Sequence, residues 1–139
     1  MKISYSHVLP LRIRYSETDQ MGFCYYGNYP VFLEVARVEM LRNLGVVYAD
    51  LEKKGIILPV KSLEIDYKLP LRYDELFTIE TTLTEISSCT ITFSYQFFGE
   101  DQKLRTTAST TLVFTNSSTF RPCRVPEELL RLITNYAIN

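Results

Sequence analysis

One long helical pattern lies near the start of this chain, and strand patterns follow it over most of the remaining length. The apolar residues of the helical stretch recur at spacings of three and four, which places them on one face of a helix: Phe32, Val35, Ala36, Met40 and Leu44. Asn28 stands where an N-cap is expected, Pro30 is tolerated in the first turn, and Gly45 can end the helix. The sequence therefore predicts one long helix between Asn28 and Gly45.

Five other segments alternate apolar with polar residues, which is typical of half-buried strands. Turn-forming residues separate these segments, which cover residues 8–15, 62–69, 77–84, 91–97 and 104–114. Shorter helices are predicted over Tyr48–Lys54 and Val125–Tyr136. The order of the elements predicts an α+β fold, in which a five-stranded antiparallel sheet packs on one long helix.

The length and the charge of the chain exclude several classes of protein. Its 139 residues can bury a core but are too few for two ordinary domains, so residues 1–139 are expected to form a single domain. The formal net charge of -1 argues against nucleic acid as the main partner, since phosphate binding needs a basic face. No apolar run approaches the length of about 18 residues that a membrane-spanning helix needs.

The cysteines and the single histidine limit the chemistry that the chain can perform. Cys24, Cys89 and Cys123 are an odd number, lack the spacing of metal ligands and follow no secretory signal. We therefore expect reduced thiols in a cytoplasmic protein. His7 lies before the first predicted strand, and one histidine cannot build a two-histidine metal site. No metal site is expected.

A short polar turn with an acidic residue precedes the long helix. Asp19 is followed by Gly22 and by the pair Tyr25-Tyr26. A carboxylate near a helix N-terminus suits chemistry on a carbonyl group, because the unpaired backbone N–H groups there can stabilise negative charge that develops on oxygen. Aspartate is also common in turns and as a helix cap, so its position alone leaves both roles open for Asp19.

Ten residues match, in order, the pattern Y-x-x-T-D-x-x-G-x-x-Y-[H/Y]-x-x-Y-x-x-x-x-E-x-A-R: Tyr15, Thr18, Asp19, Gly22, Tyr25, Tyr26, Tyr29, Glu34, Ala36 and Arg37. This stretch resembles the N-terminal signature of the hotdog-fold acyl-CoA thioesterases, in the 4-hydroxybenzoyl-CoA thioesterase-like group. The segment Tyr67–Leu76 also resembles a Y-x-x-P turn of that family. The resemblance implies a hotdog fold, with the sheet wrapped around the helix. It also implies a homodimer or homotetramer in which sheets pair edge to edge.

The resemblance further implies which residues catalyse the reaction. Asp19 would either attack the thioester or activate a water molecule, and both roles need the ionised carboxylate. The backbone N–H of Tyr26, at the start of the helix, would polarise the thioester carbonyl. Many relatives of the bacterial short-chain acyl-CoA type carry His where this chain has Tyr26, whereas the aromatic-CoA branch has Tyr.

Four residues are candidates for binding the substrate. Gly22 would allow a positive φ or a close approach of the backbone, and plain turn chemistry explains this glycine equally well. Tyr25 and Tyr29 belong to an aromatic cluster that would bind substrate, with ordinary packing in the core or an interface as the alternative. From their positions on the helix alone, Tyr29 and Phe32 are expected to line the acyl pocket across a dimer interface.

Other residues compete for these roles. Glu17 is a second carboxylate in the turn, but the family pattern favours Asp19. Some relatives use a glutamate of the long helix as the base, so Glu34 is a further candidate, although with Arg37 it also fits a surface or interface ion pair. Cys24 has no histidine to activate it as a nucleophile.

The resemblance predicts an enzyme that hydrolyses the thioester of an acyl-CoA, or of an acyl carrier protein, to the free acid and the thiol. No metal and no other cofactor is implied. Basic residues at the pocket mouth would bind the phosphates of coenzyme A, and four are available: Lys61, Lys68, Arg72 and Arg105. The alternatives are an acyl-thioester dehydratase of the same fold and a non-catalytic protein that binds acyl thioesters.

Overall fold

A computed structural model describes all 139 residues of the chain. The long helix α1 spans Tyr29–Leu44, as the apolar spacing predicted. It ends at Gly45, whose φ of 108° is readily adopted only by glycine and whose N–H donates to the carbonyl oxygens of Arg42 and Leu41. A short helix α2 covers Tyr48–Lys53, and a third helix α3 covers Glu127–Ile133, followed by a 3-10 turn over Thr134–Tyr136.

The strands form one large antiparallel sheet and one small ribbon. In chain order they are β1 Lys2–Arg12, β2 Ile56–Ile57, β3 Val60–Tyr67, β4 Leu76–Ile86, β5 Thr90–Phe98, β6 Leu104–Val113, β7 Thr115–Asn116 and β8 Ala137–Ile138. The sheet has the order β3-β6-β5-β4-β1-β8, and β2 pairs with β7 in the ribbon. The α+β class is confirmed, and the sheet has six strands rather than five because the C-terminal residues pair with the start of β1.

The first strand lies earlier in the sequence than predicted. β1 begins at Lys2 and ends at Arg12, because the backbone N–H of Arg14 donates to the Glu17 carboxylate at 2.7 Å and the chain turns there. His7 therefore lies within β1 and pairs with Thr81 of β4, not before the first strand. The alternation in fact starts at Ile3, which is 2% exposed, and continues with Ser4 and Ser6 at the exposed positions.

The sheet packs on α1 through aromatic and aliphatic side chains. On the helix the fully buried positions are Tyr29, Phe32, Leu33, Ala36, Met40 and Leu41. Phe32 packs edge-on against Phe77 of β4 at 5.3 Å between ring centroids, and Tyr29 stacks on Phe97 of β5 at 5.4 Å. These contacts fix the N-terminal end of α1 against the centre of the sheet.

β3 forms one edge of the sheet and pairs only with β6. Its side chains stay largely accessible in the single chain, with Leu63 and Tyr67 each 43% exposed. A long strand with an unpaired edge and exposed apolar side chains favours pairing with another chain. None of the three helices combines the length and the apolar character needed to cross a membrane.

Candidate active site

The acidic turn before α1 is closed by its own backbone. The N–H of Asp19 donates to the carbonyl of Phe23 at 2.9 Å, and the N–H of Gly22 donates to the carbonyl of Asp19 at 3.0 Å. Gly22 has a φ of 81°, so the structure explains this glycine by backbone conformation. Asp19 Oδ1 accepts from the N–H of Met21 at 2.9 Å. The carboxylate is therefore held in an Asx turn by one oxygen, and its Oδ2 accepts no hydrogen bond from the chain.

The N-terminal end of the helix presents free backbone donors beside this turn. A 3-10 turn over Tyr26–Asn28 leads into α1, and its first two bonds run from the N–H of Asn28 to Tyr25 O and from the N–H of Tyr29 to Tyr26 O. The N–H groups of Tyr26 and Gly27 precede these bonds and are not used by the helix. These two N–H groups lie at the N-terminal end of the helix, which carries the partial positive charge of the helix dipole.

Asn28 fixes this end of the helix by a different contact from the one predicted. It stands at the N-cap position, but its side-chain oxygen caps no backbone N–H. Its Nδ2 instead donates to the carbonyl of Glu17 at 2.8 Å, and the N–H of Tyr25 donates to the same oxygen at 2.7 Å. These two bonds tie the acidic turn to the start of the helix.

Asp19 and Tyr26 line the same cleft, which has a volume of about 270 Å³. Its wall is mostly apolar and includes these residues: Asp19, Phe23, Cys24, Tyr26, Tyr29 and Tyr67. The structure thus brings the predicted carboxylate and the predicted oxyanion turn to one opening.

The other predicted binding residues have different positions. Tyr29 lines the cleft but is only 2% exposed, so it forms the base of the opening. Tyr25 packs on Tyr26 at 4.9 Å between ring centroids and lies outside the wall of the cleft. A Cβ at Gly27 would lie 2.6 Å from the Tyr25 ring, so glycine is what lets this ring cover the turn. Phe32 is 5% exposed and packs behind Tyr29, so within one chain it does not reach the cleft.

The competing carboxylates have other surroundings. Glu17 is 6% exposed and accepts from both the backbone and the guanidinium of Arg14, at 2.7 and 3.1 Å. It holds the turn and does not face the cleft. Glu34 is exposed on α1 and makes no ion pair with Arg37; both residues border a second cavity instead. The helix ion pair joins Glu39 and Arg42 at 3.5 Å.

Cys24 and Tyr67 also line the cleft, although neither was predicted there. Cys24 follows directly from the turn that places Asp19, and Tyr67 is the tyrosine of the Y-x-x-P motif. Burial, and to a smaller extent the negative charge of Glu17, raise the pKa of the Cys24 thiol to about 12. The thiol is therefore protonated at neutral pH and is a poor nucleophile.

We expect the Cys24→Ala variant to keep its activity. Because the thiol is not ionised, turnover should stay within about threefold of the parent protein, while lost packing lowers the melting temperature slightly. Steady-state rates with an acyl-CoA, measured next to a thermal melt, check both expectations. A fall of two orders of magnitude with an unchanged melting temperature would instead give Cys24 a chemical role.

The four basic residues considered for phosphate binding also differ in position. Arg105 is 9% exposed and pairs with Glu75 and Asp101 at 2.9 and 3.0 Å, so its guanidinium is already bound within the chain, and its burial argues against a role as a phosphate ligand. Lys68 lies at the cleft and pairs with the exposed Asp66 at 2.9 Å, while Arg72 lies over the ring of Phe23. Both side chains are exposed beside the cleft, whereas Lys61 is exposed on β3 and is not part of the cleft wall.

Comparison with known proteins identifies the family to which this fold belongs. The profile of the Thioesterase-like superfamily matches residues 13–133. Among named relatives, YneP of Bacillus subtilis, a candidate acyl-CoA thioesterase, is 34% identical over 112 residues, which cover 81% of each chain. The acyl-CoA thioesterase YbgC of Haemophilus influenzae is 31% identical over 121 residues, which cover 86% of this chain and 88% of that protein.

A solved structure supports the same family assignment. The DHNA-CoA thioesterase of Staphylococcus aureus superposes with a TM-score of 0.89 at 36% identity, over 91% of this chain and 87% of that one. The fold and the family that the motif predicted are thereby confirmed. This chain belongs to the thioesterase-like superfamily and has the hotdog fold of the acyl-CoA thioesterases.

Proposed function

We propose that this protein hydrolyses acyl-CoA thioesters to the free acid and coenzyme A, with Asp19 as the reacting carboxylate. The observation that supports the proposal is the shared cleft, whose wall contains both Asp19, with one free carboxylate oxygen, and Tyr26, whose backbone N–H is not used by the helix. Attack on a thioester produces a negatively charged oxygen, and such N–H groups stabilise that charge. Stabilisation of this kind typically contributes about 10² to 10³ in rate for each donor.

In the proposed reaction each group has a role. The thioester oxygen accepts from the N–H of Tyr26, with the N–H of Gly27 beside it. Asp19 either adds to the carbonyl carbon, with release of the thiolate and later hydrolysis of the anhydride by water, or removes a proton from the water that adds. In both routes the Asx turn fixes one carboxylate oxygen, so the free Oδ2 is the atom that reacts.

We further propose that the working protein is a homodimer that can associate to a homotetramer, with pairing at the edge of β3. Antiparallel pairing of two β3 strands about a two-fold axis places the start of one strand beside the end of the other. In this chain Tyr67, at the end of β3, lines the cleft, whereas Val60, at its start, lines the second cavity. Each cleft would therefore open toward the second cavity of the other copy.

The second cavity is suited to the acyl group. It has a volume of about 260 Å³ and lies between α1, α2 and the sheet, with mostly apolar walls: Val38, Leu41, Tyr48, Leu58, Val60 and Phe93. The polar side chains at this cavity are those of Glu34 and Arg37. The proposed dimer would thus supply an apolar pocket for the acyl group beside the carboxylate.

The oligomer is testable by mass. We expect light scattering at micromolar concentration to give at least twice the chain mass of 16.2 kDa, because a free strand edge favours association. A sample that stays monomeric at 16.2 kDa and still turns over acyl-CoA would rule out a shared site.

A substrate screen tests the proposed activity. Short-chain, long-chain and aromatic acyl-CoAs and one acyl carrier protein thioester should be compared by release of free thiol. Hydrolysis of at least one class supports the proposal, while tight binding of acyl-CoA without hydrolysis would favour a non-catalytic binding protein. A dehydratase would need a catalytic histidine, and His7, the single histidine, lies in β1 away from the cleft.

We also propose a cytoplasmic location. The three cysteines are all free in the structure, and this pattern fits a reducing compartment.

A further inference from the structure

Tyr67 connects the edge strand to the start of the long helix. It is the last residue of β3, and its hydroxyl donates to the carbonyl oxygen of Tyr26 at 2.8 Å, across 41 residues of sequence. The backbone of Tyr67 is held by pairing with Thr106 of β6. The bond therefore anchors the turn that carries the free N–H groups to the sheet.

This carbonyl belongs to the peptide group that joins Tyr26 to Gly27. It accepts two hydrogen bonds, one from the hydroxyl of Tyr67 and one from the N–H of Tyr29. A trans peptide carries its C=O and its N–H on opposite sides, so fixing the oxygen also fixes the direction of the Gly27 N–H. Hydrogen bonds accepted by the C=O of a peptide also polarise its N–H, which then becomes a stronger donor.

The ring of Tyr67 is itself held by aromatic contacts. It packs edge-on against Tyr29 at 4.9 Å and against Tyr26 at 6.2 Å between ring centroids. Tyr29 is buried and stacks on Phe97 in the core. Partial burial and the neighbouring Tyr26 raise the pKa of Tyr67, so its hydroxyl keeps the proton that it donates.

We infer that Tyr67 is a positioning residue for the oxyanion site: its hydroxyl holds the carbonyl of the Tyr26–Gly27 peptide and thereby orients the N–H of Gly27, the second donor beside the N–H of Tyr26, toward the thioester oxygen. The inference rests on the proposed thioesterase function and assigns to it a residue outside the acidic turn. Tyr67 does not need to touch the substrate, since its one donor is spent on Tyr26.

The Tyr67→Phe variant tests the inference because it removes only the hydroxyl and keeps the ring between Tyr26 and Tyr29. We expect kcat to fall about 3- to 10-fold, the effect of one net neutral hydrogen bond, with KM changed less than about twofold. Tyr73→Phe is the matched control, because Tyr73 is 55% exposed and its hydroxyl makes no hydrogen bond within the chain. An unchanged kcat, or a rise in KM alone, would overturn the positioning role. A loss above about 100-fold would also overturn it, since that would make the hydroxyl a direct oxyanion donor.

Infrared spectroscopy of the bound carbonyl gives a second readout that does not depend on turnover. In an Asp19→Asn background, a ¹³C-labelled benzoyl-CoA should show its C=O stretch shifted to lower frequency by the N–H donors. Adding Tyr67→Phe should reduce that shift, whereas adding Tyr73→Phe should leave it unchanged. The same shift in all three proteins overturns the inference and leaves the proposed function intact. A parent protein that neither hydrolyses nor binds any acyl-CoA overturns both.

Discussion

Replacing Asp19 by Asn should lower kcat by about 10² or more, the scale expected for loss of a nucleophile or a general base. The amide keeps the size of the side chain, and its oxygen can still accept from the N–H of Met21, so the Asx turn should persist. It can neither attack the thioester carbon nor accept a proton from water. The melting temperature and the binding of a non-hydrolysable acyl-CoA analogue should therefore change little.

Two further variants serve as controls for this result. Glu34→Gln changes an exposed carboxylate at the proposed acyl pocket, so it should alter KM for the acyl group while kcat stays near that of the parent. Glu17→Gln should act on stability, because the carboxylate is buried against Arg14. If Asp19→Asn keeps near full activity while Glu34→Gln is inactive, the catalytic carboxylate lies on the helix. If Asp19→Asn keeps its turnover while Asp19→Ala loses about 1 kcal/mol of stability, Asp19 is only a turn residue, because asparagine supports the same turn.

Replacing Arg105 by Met should lower the free energy of unfolding by about 3–5 kcal/mol, because it leaves a buried charge without its partner. The side chains of Arg105 and Glu75 are 11% and 12% exposed and meet at 2.9 Å. Arg105 also donates to the carbonyl of Pro70 at 2.7 Å, which holds the turn between β3 and β4. Chemical denaturation followed by circular dichroism measures the change.

Two comparisons separate the ion pair from a general effect of losing charge. Arg121→Met removes an exposed arginine that makes no ion pair and should change stability by less than about 0.5 kcal/mol. The double variant Arg105→Met/Glu75→Gln should be more stable than Arg105→Met alone, since it removes the stranded carboxylate. If Arg105→Met instead leaves stability intact and raises only the KM for acyl-CoA, Arg105 would be the phosphate ligand that its burial argues against.

The parts of the fold that depend on local pattern were predictable from the sequence. The spacing of apolar residues from Phe32 to Leu44 predicted helix α1. The alternation of apolar with polar residues predicted strands β3 to β6. The start of β1 was missed although Ile3 and Tyr5 alternate with two serines there, because the polar His7 at the next inward position interrupts the apolar series. β8 was missed because two residues carry no detectable period, and their pairing with Lys2 and Ile3 depends on the folded chain.

The candidate site was predictable only where its residues are close in sequence. Asp19 and Tyr26 belong to one short motif, and the structure places them at one cleft. The hydrogen bond from the Tyr67 hydroxyl to Tyr26 and the burial of Arg105 both depend on the pairing of β3 with β6. No local sequence pattern reveals that pairing. The buried state of Phe32 likewise follows from contact with the sheet, so its helical position alone suggested a pocket residue.

The hydrogen bonds around the acidic turn differ in how far along the chain they reach, and this has a consequence for folding. Most bonds that shape the turn span eleven residues or fewer, as between Asn28 and Glu17, while the N–H of Cys24 donates to the carbonyl of Leu71 at 2.7 Å, 47 residues further along (71 − 24). The bond from Tyr67 to Tyr26 spans 41, and β3 pairs only with β6, whose residues 104–113 are synthesised late. Closing such long loops costs entropy and slows folding. On the ribosome, the turn can form while the chain is still short. Its hydrogen bond to Tyr67 of the sheet becomes stable only after β6 has emerged, so the active site forms locally first and becomes rigid last.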